Sequence, residues 1–418
     1  MNKLALSLCL AVAAMPALAQ EKTLTVWDFK SAEPLMQPYF DKVREIFAAK
    51  HPDVELKQVA QPGNNYYVLL GTVINANEGP DVALLHNGND SISRADAFVR
   101  LDDEIADIKG DIVGWESFQS ADGTYVAVPI SIQGVALYYN KDIYKEAGLD
   151  PEKAPTTWEE FTANCEAIAA TVKVSCLGVG NKDGVGFEST ITALFDGLWG
   201  EETRQAFIRG EVDWTAPEIK TAFEKFDSLL EAGWVEPGSN SYNPYTDMVN
   251  MLVGGRVAHM FGLVSDAPNS WRNMENLIEP GNLGVAAPVA IDRSAEEFPN
   301  RLTVDGGIGF GITRWSKQPD VALDYIKATV EAQASYVFME SAGGLPANKA
   351  VDTSPLNSPA ATEVMRLIEC CSVTGRMKSY FVPAERQELV RVGQLLINGE
   401  ITVDDALASI QRVRDTAN

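Results

Sequence analysis

Histidine is scarce in this 418-residue chain: His51, His86 and His259 are all there is. None stands in an H-E-x-x-H pair, and neither a G-x-S-x-G elbow nor a G-x-x-x-x-G-K-[ST] loop occurs. Zinc hydrolysis, serine acyl transfer and P-loop phosphate binding therefore lack their residues. Positive charge is short too, with 34 Lys and Arg against 58 Asp and Glu. That balance works against nucleic acid and against an anionic membrane face, and it favours solubility. No cofactor and no metal is expected. Long apolar runs are missing beyond the amino terminus, as are short-period repeats and low-complexity linkers.

The amino terminus itself reads as an export signal over residues 1–19. Lys3 supplies positive charge, "LALSLCLAVAAM" is apolar, and Ala17-Leu18-Ala19 supplies the small residues before a cut at Gln20. The apolar run is shorter than the roughly 20 residues of a spanning helix, and Cys9 follows Leu8 where a lipid-anchoring cysteine needs a small residue. Without that segment, which carries one Lys and no acid, 33 basic residues face 58 acidic ones, a net charge of -25. About 400 residues then remain, more than one core usually serves, so two domains are expected.

Four cysteines remain as well, in a compartment that permits disulfides, and four allow three pairings. Cys165 with Cys176 is the preferred bridge, across a helix end turning into a strand. Adjacent Cys370 and Cys371 do not easily bridge each other within ordinary geometry, and they read as free, buried thiols.

"TLTVWDF" reads as a strand and Pro38 to Lys50 as a helix, with Phe40, Val43, Ile46 and Phe47 at helical spacing. Strand "DVELKQVA", helix "YVLLGTVINANEG" and strand "DVALLH" follow. Such alternation implies a parallel, doubly wound sheet. In "APTTWEEFTANCEAIAATVK", Thr156 and Glu159 have capping-box spacing, and Trp158, Phe161, Cys165 and Ile168 form one apolar stripe. Helices also read at "PEIKTAFEKFDSLLEAG", at "QPDVALDYIKATVEAQASYVFMES", and at "TVDDALASIQRV" with Thr402 as its cap. One strand is odd: Pro129 to Tyr139 carries Ser131 and Gln133 where a buried strand should be apolar. A backbone surfacing between two bodies would explain them.

Several stretches, taken in order, resemble the extracellular solute-binding proteins of ATP-binding cassette (ABC) sugar importers, the group that includes maltose-binding protein. They are "LTVWDF", "HPDVEL", "NEGPDVALLHNGN", "YVAVPISIQGVALYYNKDIYKEAGLDPEKAPTTWEEF", "MLVGGRVAHMFG", "LGVAAPVA", "DGGIGFGITRWSKQPDVALDYI", "GGLPANKA" and "LINGEITVDDALASIQ". The resemblance implies an α/β periplasmic-binding-protein type II fold, two doubly wound lobes around a central cleft joined by hinge crossovers. It divides the chain into 20–131 with 288–342 and 132–287 with 343–418. Crossings are implied at Pro129 to Ala136, near Ala287 to Ala290, and near Gly343 to Pro346. The implied function is capture of a sugar or sugar-like solute in the periplasm by a monomer that closes on it and delivers it to permease subunits in the inner membrane.

A sugar offers hydroxyls at its edges and C–H patches on its faces, so amides, carboxylates and rings are the candidates. Asn87, Asn89 and Asp90 follow "DVALLH", at the strand end where open parallel sheets bind ligands. Phe29, Lys30 and Ser31 have the same placement after the first strand, and Asn64 lies in "PGNNYY". Ser131 and Gln133 fall on the crossing. Trp199, Phe261 and Trp271 are rings offered by the second lobe, the first two supported by family order, and the resemblance makes Gly306 and Gly307 cleft-lining. Arg376 and Tyr380 put a cation and a ring on one segment. Two alternatives stay open: a secreted glycoside hydrolase or lyase, since 58 acids make chance carboxylate pairs inevitable, and a binder of a non-sugar solute such as a glycerophosphodiester or a sulfonated sugar derivative.

Overall fold

The computed structural model describes residues 22–120, 122–264, 274–279, 281–292, 301–352, 358–373, 375 and 377–417. The expected export signal, Trp271 and Arg376 lie outside them, and of Asn64 only the backbone is described.

Strands β1 (Lys22–Asp28), β2 (Val54–Ala60), β3 (Val82–His86) and β4 (Val128–Pro129) open the chain. In β1 Leu24, Val26 and Asp28 turn inward and are fully buried, the period of a half-covered strand. The helix Gln37–Lys50 buries Tyr39, Phe40, Val43 and Phe47 on one face and ends at His51, whose N–H donates to the Phe47 carbonyl. Each such ring or branched chain taken out of water contributes about 1.5–3 kcal/mol.

The second body contains β5 (Ser131–Asn140), β6 (Ser175–Gly178), β7 (Val257–Leu263), β8 (Leu283–Ala286) and β9 (Leu302–Gly306). Then come β10 (Ile308–Ile312), β11 (Leu345–Pro346) and β12 (Ser372–Val373). One sheet runs β2-β1-β3-β10-β4 and the other β12-β9-β5-β7-β6, with β8 and β11 also paired to β5. β1 to β3 are mutually parallel, whereas β10 is antiparallel to both β3 and β4. All ten residues of β5 are buried.

The chain passes between the sheets through very short links. Ile130 alone separates β4 from β5, and Gly307 alone separates β9 from β10. Residues of β11 pair with Ile132 and Ser131. The crossings are laced together: Ile130 N–H donates to Ile308 O (2.9 Å), Gly307 N–H to Ser131 O (2.7 Å), and Ala347 N–H to Ile130 O (3.1 Å). The segment Ala287 to Ala290 is not a crossing. Ala290 bridges Thr157, and Ile291 N–H donates to Gly197 O, both within the second body. The described residues on either side, through Asp292 and again along β9 from Leu302 to Gly306, belong to that body, β9 pairing with β5.

Three local readings change in detail. The cap of helix Trp158–Thr171 is Thr157, which accepts from Glu160 N–H (3.2 Å), while the Glu160 carboxylate takes Thr156 N–H (2.8 Å), one residue later than the expected Thr156 and Glu159 pair. The long helix after Ser316 breaks at Glu331, whose extended backbone (ψ 146°) separates Pro319–Val330 from Ala332–Ala342. Finally, Cys370 and Cys371 are joined to each other, with Cα atoms 3.7 Å apart, where free thiols were expected. The helix Pro359–Cys371 has that pair as its last two residues. Cys165 is joined to Cys176, tying helix Trp158–Thr171 to β6.

Candidate functional site

The site grows from the crossings. Ser131 Oγ accepts from Ile308 N–H (3.3 Å), so the hydroxyl satisfies a donor that the change of sheet would otherwise leave bare. A side chain at Gly307 would put its first carbon 2.6 Å from Ser131 Oγ and 2.9 Å from Gln133 Cγ. Glycine is therefore required by the approach of β5. Gln133 faces Asp305 in the antiparallel ladder, both buried. Gly306 instead lies against residues 114–118, where a side chain would meet Gly114 O at 2.4 Å and its own N–H donates to Ser117 Oγ. The polar pair in β5 thus sits at the floor between the sheets.

The first-body wall is built at the ends of β1 and β3. The buried Asp28 carboxylate accepts from Lys30 N–H (2.8 Å) and Ser31 N–H (2.5 Å), folding those residues back over the strand end. Lys30 Nζ lies 3.2 Å from Glu33. The Phe29 ring stacks on His86, with centroids 4.3 Å apart and planes 12° off parallel, and meets the edge of Tyr66. Tyr67 Oη is hydrogen-bonded to His86 Nδ1 (2.9 Å) and accepts His86 N–H (2.7 Å). Arg94 stands over the Tyr67 ring and 3.6 Å from the Asp90 carboxylate. Burial pushes the Tyr67 hydroxyl well above its usual pKa, and the Asp90 charge adds to the effect. His86, Tyr67 and Arg94 were not among the expected site residues. The one signal in the sequence was that His86 directly precedes Asn87.

The facing wall comes from the segment Met377–Tyr380, the start of helix Pro383–Ile397, and helix Val185–Leu198. Ser379 Oγ donates to Asp305 Oδ2 (3.1 Å) and accepts from Asn87 Nδ2 (2.7 Å). Asn89 Nδ2 donates to Phe381 O (3.2 Å). Both amides expected to meet a solute are thus bonded to this segment, which Tyr380 shares. Arg386 Nε donates to the buried Glu188 carboxylate (2.8 Å). The Glu188 charge raises the Arg386 pKa first of all, with Asp90 of the opposite wall adding to it.

Two expected rings belong to the core. Trp199 is 1 % exposed, lies between Phe195 (4.4 Å) and Phe207 (5.4 Å), and donates its indole N–H to Glu218 O. Phe261 is buried on β7 opposite Leu137, beside Phe161. The reason is the same for both: the second body packs an aromatic cluster that also holds Trp214 and Phe381. His259 is likewise internal, bonded to Tyr144 Oη (2.7 Å) and Cys176 O (2.9 Å). Burial depresses its pKa to about 4. Its ring lies with both sulfurs of Cys165 and Cys176 within 4.8 Å, but those sulfurs are bonded to each other and offer no thiolate to a metal. A hollow of about 460 Å³, lined in part by Tyr139, Arg366 and Cys371, opens toward the far end of β5 from Ser131.

The family model described as bacterial extracellular solute-binding protein matches residues 42–363. The chain belongs to that family. Among curated relatives, the mannitol-binding protein of Pseudomonas aeruginosa is 26% identical over 269 residues, 60% of this chain and 57% of its own length. The sn-glycerol-3-phosphate-binding periplasmic protein of Brucella abortus is 39% identical over 59 residues, 14% of each chain. The chain spans about half the length of the curated relatives it matches over longer stretches. Among solved structures, a chitin oligosaccharide binding protein superposes with a TM-score of 0.79 at 20% identity, over 94% of this chain and 98% of the other. At that identity the likeness concerns the fold: two α/β lobes of the solute-binding type.

Proposed function

We propose that this solute-binding protein is the periplasmic receptor of an ABC importer, closing its lobes on a neutral, hydroxyl-rich solute of the sugar or polyol class. It passes that solute intact to permease subunits in the inner membrane. The observation that carries this reading is the laced set of crossings, with Ser131, Gln133 and Asp305 at its floor and the Phe29, His86 and Tyr67 rings on one wall. Hydroxyl and amide groups suit sugar hydroxyls, and rings suit C–H faces.

Charge separates the solute classes. Among the described residues named in the two walls, each cation stands beside a carboxylate: Lys30 by Glu33, Arg94 by Asp90 and Arg386 by Glu188. A phosphate or sulfonate binds best where cations are not already neutralised. The mannitol-binding relative is therefore the better guide than the one named for sn-glycerol-3-phosphate.

The mechanism needs only a difference in affinity. A solute touching both lobes makes more contacts in the closed form, and that surplus shifts the population toward closure. A micromolar dissociation constant corresponds to about -8 kcal/mol in all. A thermal-shift screen over neutral sugars, polyols and their phosphorylated or acidic derivatives tests the class. Neutral compounds are expected to raise the melting temperature. Stabilisation by the anionic derivatives alone contradicts the assignment.

A further inference from the structure

The turn after β3 does not merely face the second lobe; it is bolted to it. Asn87 N–H donates to Gly307 O (3.1 Å) at the crossing, and Asn87 Nδ2 donates to Ser379 Oγ (2.7 Å). Two residues on, Asn89 Nδ2 donates to Phe381 O (3.2 Å). Between them, any side chain at Gly88 would place its first carbon 1.9 Å from Ser379 O. Only a glycine lets the two backbones come this close.

Each side of the contact is fixed to its own lobe. The turn hangs from β3, which pairs with β1 and β10. The partner segment is anchored by Met377 and Phe381, both buried, Phe381 packing on Trp214 (5.2 Å) and Phe207 (6.0 Å). It is fastened to the crossing as well, since Asp305 accepts from Ser379 Oγ (3.1 Å) and Gly375 N–H (2.8 Å). Asn87 N–H to Gly307 O continues the β3–β10 ladder and the Asp305 bonds stay within the second lobe, so a rotation that parts the turn from this segment stretches or breaks the Asn87–Ser379 and Asn89–Phe381 bonds.

We infer that Asn87, Asn89 and Ser379 are positioning residues of lobe closure, which hold the closed form by bonding across the lobes and raise solute affinity without contacting the solute. The inference rests on the reading that solute binds between the lobes. One N–H of each amide is spent on the protein, on Ser379 Oγ and on Phe381 O, so a solute hydroxyl does not use those hydrogens. When the lobes part, water takes over these partners, so each bond biases the equilibrium modestly, by about three- to tenfold.

The test places one spin label on the outer face of each lobe and measures the interlobe distance distribution without any solute. Wild type, Asn87→Ala, Ser379→Ala and the double variant are compared, along with Asn89→Ala. The expected result is a short-distance population in wild type, with the ratio of short to long distances falling about three- to tenfold in each single variant. The Asn87→Ala, Ser379→Ala double variant should fall no further than either single change. Affinity should drop by one common factor for every solute bound, with the melting temperature of the empty protein unchanged. The inference is overturned by a wild-type distribution lacking the short distance or by distributions identical in all variants. Affinity losses that differ from solute to solute also overturn it, because they mark direct contact. The distance measurement needs no ligand, so a protein that binds no sugar at all would sink the functional reading while this result still decides the role of the turn.

Discussion

Gly307 donates its backbone N–H to the carbonyl of Ser131 across 2.7 Å, so two strands that change sheets are tied together at the point of change. Everything in the proposed site is measured from that bond. Gln133 and Asp305 flank it on the second-lobe side, and Asn87 reaches it from the first through Gly307 O.

The approach of the strands makes Gly307 sensitive to size. Gly307→Ala is expected to destabilise the protein by about 1–3 kcal/mol in urea titrations, the usual range for overpacking. Adding Ser131→Ala, which removes the oxygen 2.6 Å from the new methyl, should recover part of the loss. A double variant no more stable than Gly307→Ala would show that the oxygen is not the obstacle.

Trp199 lies in the second-lobe core. Trp199→Ala is expected to lower unfolding free energy by about 3–5 kcal/mol, as for other buried aromatic residues. Any loss of solute affinity should follow from that and not precede it. Unchanged stability with weakened binding would return the ring to the cleft.

His259 gives a pH signature. Folded, it takes a proton only near pH 4 because it is buried, while an unfolded histidine does so near 6.5. Its contribution is complete above the unfolded value and is lost as pH falls through 6.5 toward 4, in total about 3 kcal/mol. Stability measured against pH should therefore slope less steeply over that window in His259→Gln than in wild type. Parallel slopes would contradict a neutral, buried ring.

The paired cysteines predict a mass-spectrometric result. Protein unfolded in denaturant without reductant should gain no alkylator label at Cys165, Cys176, Cys370 or Cys371, and label at all of them after reduction. Label at Cys370 and Cys371 before reduction would restore the free-thiol reading.

Much of the architecture was legible because it is local. The period-two pattern of β1 and the helical stripe Phe40, Val43, Phe47 are each written in a dozen residues. Ser131 and Gln133 betrayed the first crossing because polar groups in an apolar strand need partners. The second crossing was misplaced for a physical reason. Gly306 and Gly307 were expected to line the cleft, and what comes up against them is the chain itself, at Gly114 and at Ser131. Rings posed the opposite difficulty, since an aromatic residue carries no local mark of whether it faces core or cleft. Trp199 and Phe261 went to the core, while Phe29 found His86 far along the chain. The Arg386 and Glu188 pair, 198 residues apart, leaves no trace in spacing at all.

Reversible capture of a neutral hydroxylated compound between the lobes, with its release unchanged, is what defines the proposed receptor. Calorimetric titration with neutral sugars and polyols, followed by recovery of the compound and its analysis by mass, addresses it directly. Saturable heat at one site per chain and a recovered solute identical to the one added are the expected result. A cleaved or altered product, or no saturable heat with any neutral compound, would contradict it.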